Sequence, residues 1–202
     1  NESRVKHLTW NAEVDFETRV ITATATFDLT NADDAMQVIF DVKDLADYKI
    51  AVDGKESAFE LGEDNPLLGR SLTIPISAET KQVTVYYKTS PDAGALLWVD
   101  GEKPFLFSQS QAILARTWIP CMDSPGVRYT YDATVKVRKD LLALMSAENP
   151  TEKNDTGVYT FKMDQPIPSY LLALAVGDVE YRAIGDRTGV YAVPDMIAAA
   201  HY

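Results

Sequence analysis

The chain has 202 residues, 46 % hydrophobic and 24 % charged, an ordinary globular balance with enough material for a full core. Its 30 acidic residues outnumber 19 basic ones and give a net charge of −11, which argues against phosphate-rich nucleic acid and disfavours an anionic membrane surface. The single cysteine, Cys121, excludes an intrachain disulfide, and no apolar run approaches the roughly 20 residues of a membrane span.

The opening Asn1-Glu2-Ser3-Arg4 has no hydrophobic signal core, so the compartment stays open between the cytoplasm and export after removal of a leader. From Val20 to Leu29, Ile21, Ala23, Ala25, Phe27 and Leu29 alternate with Thr22, Thr24, Thr26 and Asp28, the period of a half-buried strand. Asn31-Ala32-Asp33-Asp34 has turn composition, which makes its paired carboxylates solvated rather than catalytic. Leu45–Tyr48 is expected as a single helical turn before a strand around Ile50–Val52, closed by Asp53-Gly54. Alternation returns at Val83, Val85 and Tyr87, at Tyr129, Tyr131, Ala133, Val135 and Val137, and in a short strand at Tyr159, Phe161 and Met163. Asn65-Pro66, Ser90-Pro91, Ser124-Pro125-Gly126 and Thr156-Gly157 mark turns between these runs. Pro194 and Asp195 suit the first turn of a helix through Met196–Ala200. The pattern predicts an all-β fold, a sandwich of mainly antiparallel sheets over 1–193, with 194–202 as the start of a linker helix toward another domain.

The chemical inventory is thin. His7 and His201 stand at opposite ends and belong to no metal-ligand spacing. His7 reads as a surface or edge residue at the entrance to the first strand, and Cys121 as a small buried hydrophobe. Arg116 and Asp123 flank a proline-containing turn and read as a structural ion pair. In Ser108–Arg116, taken as a strand, Gln109 and Gln111 project from one face. Two neutral amides there can accept hydrogen bonds from an ammonium group and donate to a carbonyl, or can simply be solvated.

Phe105–Ala112, Ile119–Pro125, Leu141–Ala147 and Ile167–Gly177 together resemble the N-terminal domain of the leukotriene hydrolase-type zinc aminopeptidases (gluzincin aminopeptidases). Asp41–Leu45, Thr89–Pro91 and Ala95–Trp98 fit the same pattern, so the likeness covers nearly the whole chain. It implies a saddle-shaped β-sandwich beside a zinc catalytic domain, acting on peptide N-termini. It also implies that Gln111 helps hold the substrate α-amine and that Gln109 helps shape the pocket for the first side chain. The family's HExxH motif, its further Glu ligand, its GxMEN-type motif and its catalytic Tyr are absent from this sequence. This chain alone is therefore expected to hold no zinc and to be inactive, with zinc belonging to the full-length enzyme. The rival reading is a stand-alone, non-catalytic β-sandwich that binds a ligand or partner.

Overall fold

A computed structural model describes residues 2–201; Asn1 and Tyr202, the outer limits of the two expected segments, lie outside the described residues. The first eight strands are β1 (Ser3–Asp15), β2 (Val20–Asn31), β3 (Gln37–Val42), β4 (Leu45–Val52), β5 (Lys55–Ser57), β6 (Glu60–Leu61), β7 (Arg70–Pro75) and β8 (Gln82–Thr89). The rest are β9 (Leu96–Val99), β10 (Phe105–Ser108), β11 (Arg128–Lys136), β12 (Leu142–Met145), β13 (Val158–Pro168), β14 (Leu174–Gly177), β15 (Glu180–Gly185) and β16 (Thr188–Ala192), followed by a short helix α1 (Ile197–Ala200). Fold class is as expected: all-β and mainly antiparallel, with β1 and β11 the parallel pair among the described strands.

One layer is a seven-stranded sheet in the order β13-β11-β1-β2-β8-β4-β5. Its inner face carries the alternating residues read from sequence, and Ile21, Ala23, Phe27, Tyr131, Val135 and Phe161 are all buried. Its outer face is polar and locally neutral. Thr26 and Thr84 share a 3.1 Å hydrogen bond, and Lys136–Glu13 and Lys88–Asp47 pair at 2.8 Å. The second layer is divided. A three-stranded sheet, β3-β7-β6, supplies Val38, Phe40, Leu72 and Ile74, and a four-stranded sheet, β12-β14-β10-β9, supplies Leu106, Leu174 and Val176. Both join one core; Phe27 of the large sheet stacks on Phe40 at 4.5 Å. The division follows from the segment between β10 and β11. Cys121 pairs with Asp41 of β3, donating at 3.2 Å and accepting at 2.7 Å, so this segment closes the edge of the three-stranded sheet.

Three local expectations change. Leu45–Tyr48 is strand, not a helical turn: Asp44 and Asp47 both have φ of 57°, left-handed conformations that a right-handed helix forbids but aspartate tolerates. The β4–β8 register shifts between Ala46 and Lys49 to absorb them. The strand at Tyr159 is longer than expected, running to Pro168. His7 is no edge residue, because β1 lies between β11 and β2 in the middle of the large sheet. It is half-buried, sharing a 2.7 Å hydrogen bond with Thr130 Oγ1. A bulge between Val5 and His7 switches the buried parity from Val5 to Leu8, Trp10, Ala12 and Val14, which hides β1 from a strict period-two reading.

A buried hydrogen-bond relay helps tie the layers. Trp10 Nε1 of β1 donates to Tyr87 Oη of β8 at 2.9 Å, and that hydroxyl donates to the Trp118 carbonyl at 2.8 Å. Tyr87→Phe keeps the ring but orphans a buried N–H and a buried C=O, each costing about 1–3 kcal/mol. The expected result is a lower urea midpoint with an unchanged m-value; an unaltered midpoint contradicts the relay's role.

Candidate functional site

Strand β10 stops at Ser108, and Gln109 through Leu114 form a connection and turns rather than the strand expected from sequence. The physical reason is that the backbone's partners change. Gln109 N donates to the Ala95 carbonyl at 2.8 Å, and Ser110 O then accepts from Leu114 N at 2.9 Å, closing a turn that a flat ladder cannot contain. The Gln111–Ala112 peptide is cis.

Gln109 and Gln111 are nevertheless neighbours, as the strand reading required. Both are exposed, and Gln109 Nε2 donates to Gln111 Oε1 at 3.4 Å. Between them Ser110 points inward and is buried; its hydroxyl accepts from Trp118 Nε1 at 3.1 Å and donates to the Leu172 carbonyl at 2.9 Å. On either side, Ser108 Oγ accepts from Leu174 N at 2.9 Å and Thr117 Oγ1 accepts from Ala95 N at 3.0 Å. The two amides thus stand on a backbone fastened at nearly every alternate position. Their own hydrogen-bonding capacity is mostly unspent within the described residues.

The far end of the segment is held by charge. Arg116, buried, pairs with the Asp123 carboxylate at 3.0 Å, donates to the Leu68 carbonyl at 2.7 Å and lies 3.5 Å from Asp41. Asp123 accepts a 2.6 Å hydrogen bond from Ser169, and its own N–H donates to Asp41 at 2.9 Å. This is the structural ion pair expected from sequence, now part of a network; what sequence reasoning missed was Asp41, Ser169 and the Leu68 carbonyl, which lie far away in the chain. A buried pair of this kind is stable only while every member is satisfied. Cys121 is fully buried beside it, and burial, with the Asp123 and Asp41 carboxylates nearby, pushes its thiol well up. It is inert packing.

Among the described residues no three His, Cys, Asp or Glu side chains converge on a point where they could hold a metal ion. His7 Nε2 meets Asp132 at 3.6 Å without a third ligand, and His201 lies against the Ala183 carbonyl at 3.1 Å. These residues do not fit the zinc that the resemblance implies. A hollow of about 720 Å³ lies on the outer face of the large sheet, lined by Asn11, Thr24, Tyr86 and Lys88 among others, and includes neither glutamine.

Comparison with known proteins gives a consistent picture. The family model described as the peptidase M1 N-terminal domain matches residues 4–171. Leukotriene A-4 hydrolase of Xenopus laevis is 38 % identical over 215 residues, covering 98 % of this chain and 35 % of its own length. Leucine aminopeptidase 2 of Yarrowia lipolytica is 35 % identical, covering 94 % of this chain and 30 % of its own. The solved structure of native yeast LTA4 hydrolase superposes with a TM-score of 0.90 at 29 % identity, over 99 % of this chain and 33 % of that one. The chain therefore spans about a third of the length of the curated relatives it matches.

Two outcomes are expected. Arg116→Ala leaves the Asp123 carboxylate buried without its cation and lowers stability by about 3–5 kcal/mol in urea unfolding, as one-sided loss of a buried pair does. Cys121 resists iodoacetamide in mildly alkaline buffer until denaturant is added, read by intact mass; rapid labelling of the native chain contradicts its burial.

Proposed function

This chain belongs to the peptidase M1 N-terminal domain family, and from that premise we propose that it forms the substrate-facing N-terminal domain of a zinc-dependent aminopeptidase that removes N-terminal residues from peptides. Segment 1–193 is then the domain and 194–202 the start of the connection to a C-terminal catalytic domain. The metal ligands and the group that activates water belong to that domain, since the described residues here do not fit zinc.

The observation that carries the reading is the pair of exposed amides on a fastened segment. Gln111 accepts a hydrogen bond from the substrate ammonium, and Gln109 borders the space for the first side chain. A neutral amide attracts an amine less than a carboxylate does, so an acidic group from the catalytic domain shares that task. The contribution of this chain is positional. Because Ser110, Thr117 and Trp118 already fix the backbone, little ordering cost remains when substrate arrives. The net charge of −11 adds a weak long-range attraction for cationic peptide ends.

In the full-length enzyme Gln111→Ala should impair turnover of an aminoacyl anilide more than Gln109→Ala. A hydrogen bond to a charged group is worth about 1.5–3 kcal/mol, so kcat/KM should fall roughly tenfold to a hundredfold. Gln111→Glu should tighten amine binding, seen as a lower KM or tighter product inhibition. Steady-state kinetics on folded variants is the check, and unchanged kcat/KM in Gln111→Ala reduces the segment to scaffold.

A further inference from the structure

The pairing registers of the seven-stranded sheet line up a row of side chains across its outer face. Thr160 of β13 is opposite Thr134 of β11, and Thr134 is opposite Asn11 of β1. Asn11 is opposite Thr24 of β2, Thr24 opposite Tyr86 of β8, and Tyr86 opposite Lys49 of β4. Each alternates along its strand with residues that face the core, so the row runs at right angles to six strands, with one side chain at each strand spacing of about 4.8 Å. Thr9, Thr26 and Thr84 repeat the hydroxyls in the next row. Thr26 and Thr84 bond to each other, whereas the side chains of Thr160, Thr134, Asn11 and Thr24 have no hydrogen-bond partner among the described residues. Charge lies toward the margins, where Lys136 is paired with Glu13, Lys88 with Asp47 and Lys162 with Asp164. Hollows of about 720 and 630 Å³ lie along the row and meet at Thr134, and Tyr86 stands 45 % exposed in the larger one.

A face that only had to be wet needs no such arrangement, because long charged side chains serve there and are the types most often exposed. The middle of this face carries instead short, stiff hydroxyls, one amide and one ring, groups that lose little side-chain freedom when a ligand settles on them. We propose that the trough is a binding site for an uncharged, extended oligosaccharide, a β-1,4-linked chain of neutral sugars. Threonine hydroxyls and the Asn11 amide both donate and accept hydrogen bonds, as sugar hydroxyls do. The Tyr86 ring offers an apolar plate for the C–H face of a pyranose while its phenol stays wet. A β-1,4-linked chain is a straight ribbon whose rings repeat at close to one strand spacing, so successive rings meet successive side chains along a row of about 24 Å. Charge and composition select against other occupants. A polyanion would meet a net charge of −11, and a protein partner would need an apolar contact area that the row lacks outside Tyr86. The site is separate from the glutamine segment, since neither hollow includes Gln109 or Gln111.

The test is isothermal titration calorimetry of the full-length protein with cellohexaose and with chitohexaose, two arms that separate a plain glucan from an N-acetylated one. Binding of either with a Kd below about 1 mM is expected. Tyr86→Ala, and the shape-preserving pair Thr24→Val with Thr134→Val, should each weaken that binding at least about tenfold. Thr30→Ala, at an exposed position of β2 opposite Arg4, should match wild type. The disaccharide of the same sugar, too short to follow the row, should bind at least about tenfold more weakly than the hexasaccharide. The valine pair keeps the test decisive if Tyr86→Ala folds poorly, and far-ultraviolet circular dichroism of each variant checks that the sheets remain. No binding of either hexasaccharide at millimolar concentration overturns the proposal, and so does binding that the folded trough variants leave intact. Equal affinity for the disaccharide also overturns it, because the row then contributes nothing beyond a local contact. Because the readout does not depend on catalysis, a protein without aminopeptidase activity defeats the proposed function while the saccharide test still decides.

Discussion

The chain Trp10–Tyr87–Trp118–Ser110–Leu172 is the constraint on which the remaining architecture rests. Two donor-to-acceptor runs meet at Trp118: Trp10 to Tyr87 to the Trp118 carbonyl, and the Trp118 indole to Ser110 to the Leu172 carbonyl, so the core is crossed from the large sheet into the segment between β10 and β11 and out to the turn before β14. Trp10 and Trp118 also meet edge to face at 5.3 Å. Each polar atom in the relay is buried where an unpaired one is costly, so the relay admits few alternative positions for the segment. Its residues come from four separate stretches of chain.

That segment divides the second layer, and the division is what leaves room for a site. Had β10 continued past Ser108, its side chains would have alternated between core and solvent. The turn at Gln109 keeps that alternation, with Ser110 buried between exposed Gln109 and Gln111, but bonds the backbone to Ala95 and Leu114 in place of a ladder partner. The Arg116 network performs the corresponding task at the other end, binding the segment to β3 through Asp41, to the loop before β7 through Leu68, and to the turn after β13 through Ser169. A rigid frame with adaptable neutral groups at its tip suits recognition of a peptide end more than it suits proton transfer.

What the sequence by itself determined was largely the large sheet and the chemical class of the chain. Thr, Val and Tyr alternating over ten residues leave little choice of period, and burying one face of β2, β8 and β11 specified their register against the core. The lone cysteine, the scattered histidines and the ordered motifs were equally legible, because identity and spacing are properties of the chain. Local exceptions were not. A bulge at Val5–His7 inverted the parity of β1, and two aspartates with left-handed backbone turned an apparent helical turn into an irregular strand. In both, one or two residues in unusual conformations outweighed the average preference around them. The end of β10 escaped notice for a different reason: its continuation was set by hydrogen bonds to Ala95 and Leu172, partners remote in sequence. Likewise Arg116 and Asp123 could be paired by proximity along the chain, whereas Asp41, Leu68 and Ser169 reach them only through folding. Periodicity reports which face is buried, but hydrogen-bond geometry between distant residues decides where a strand stops and which side chains meet, and that information exists only in the tertiary structure.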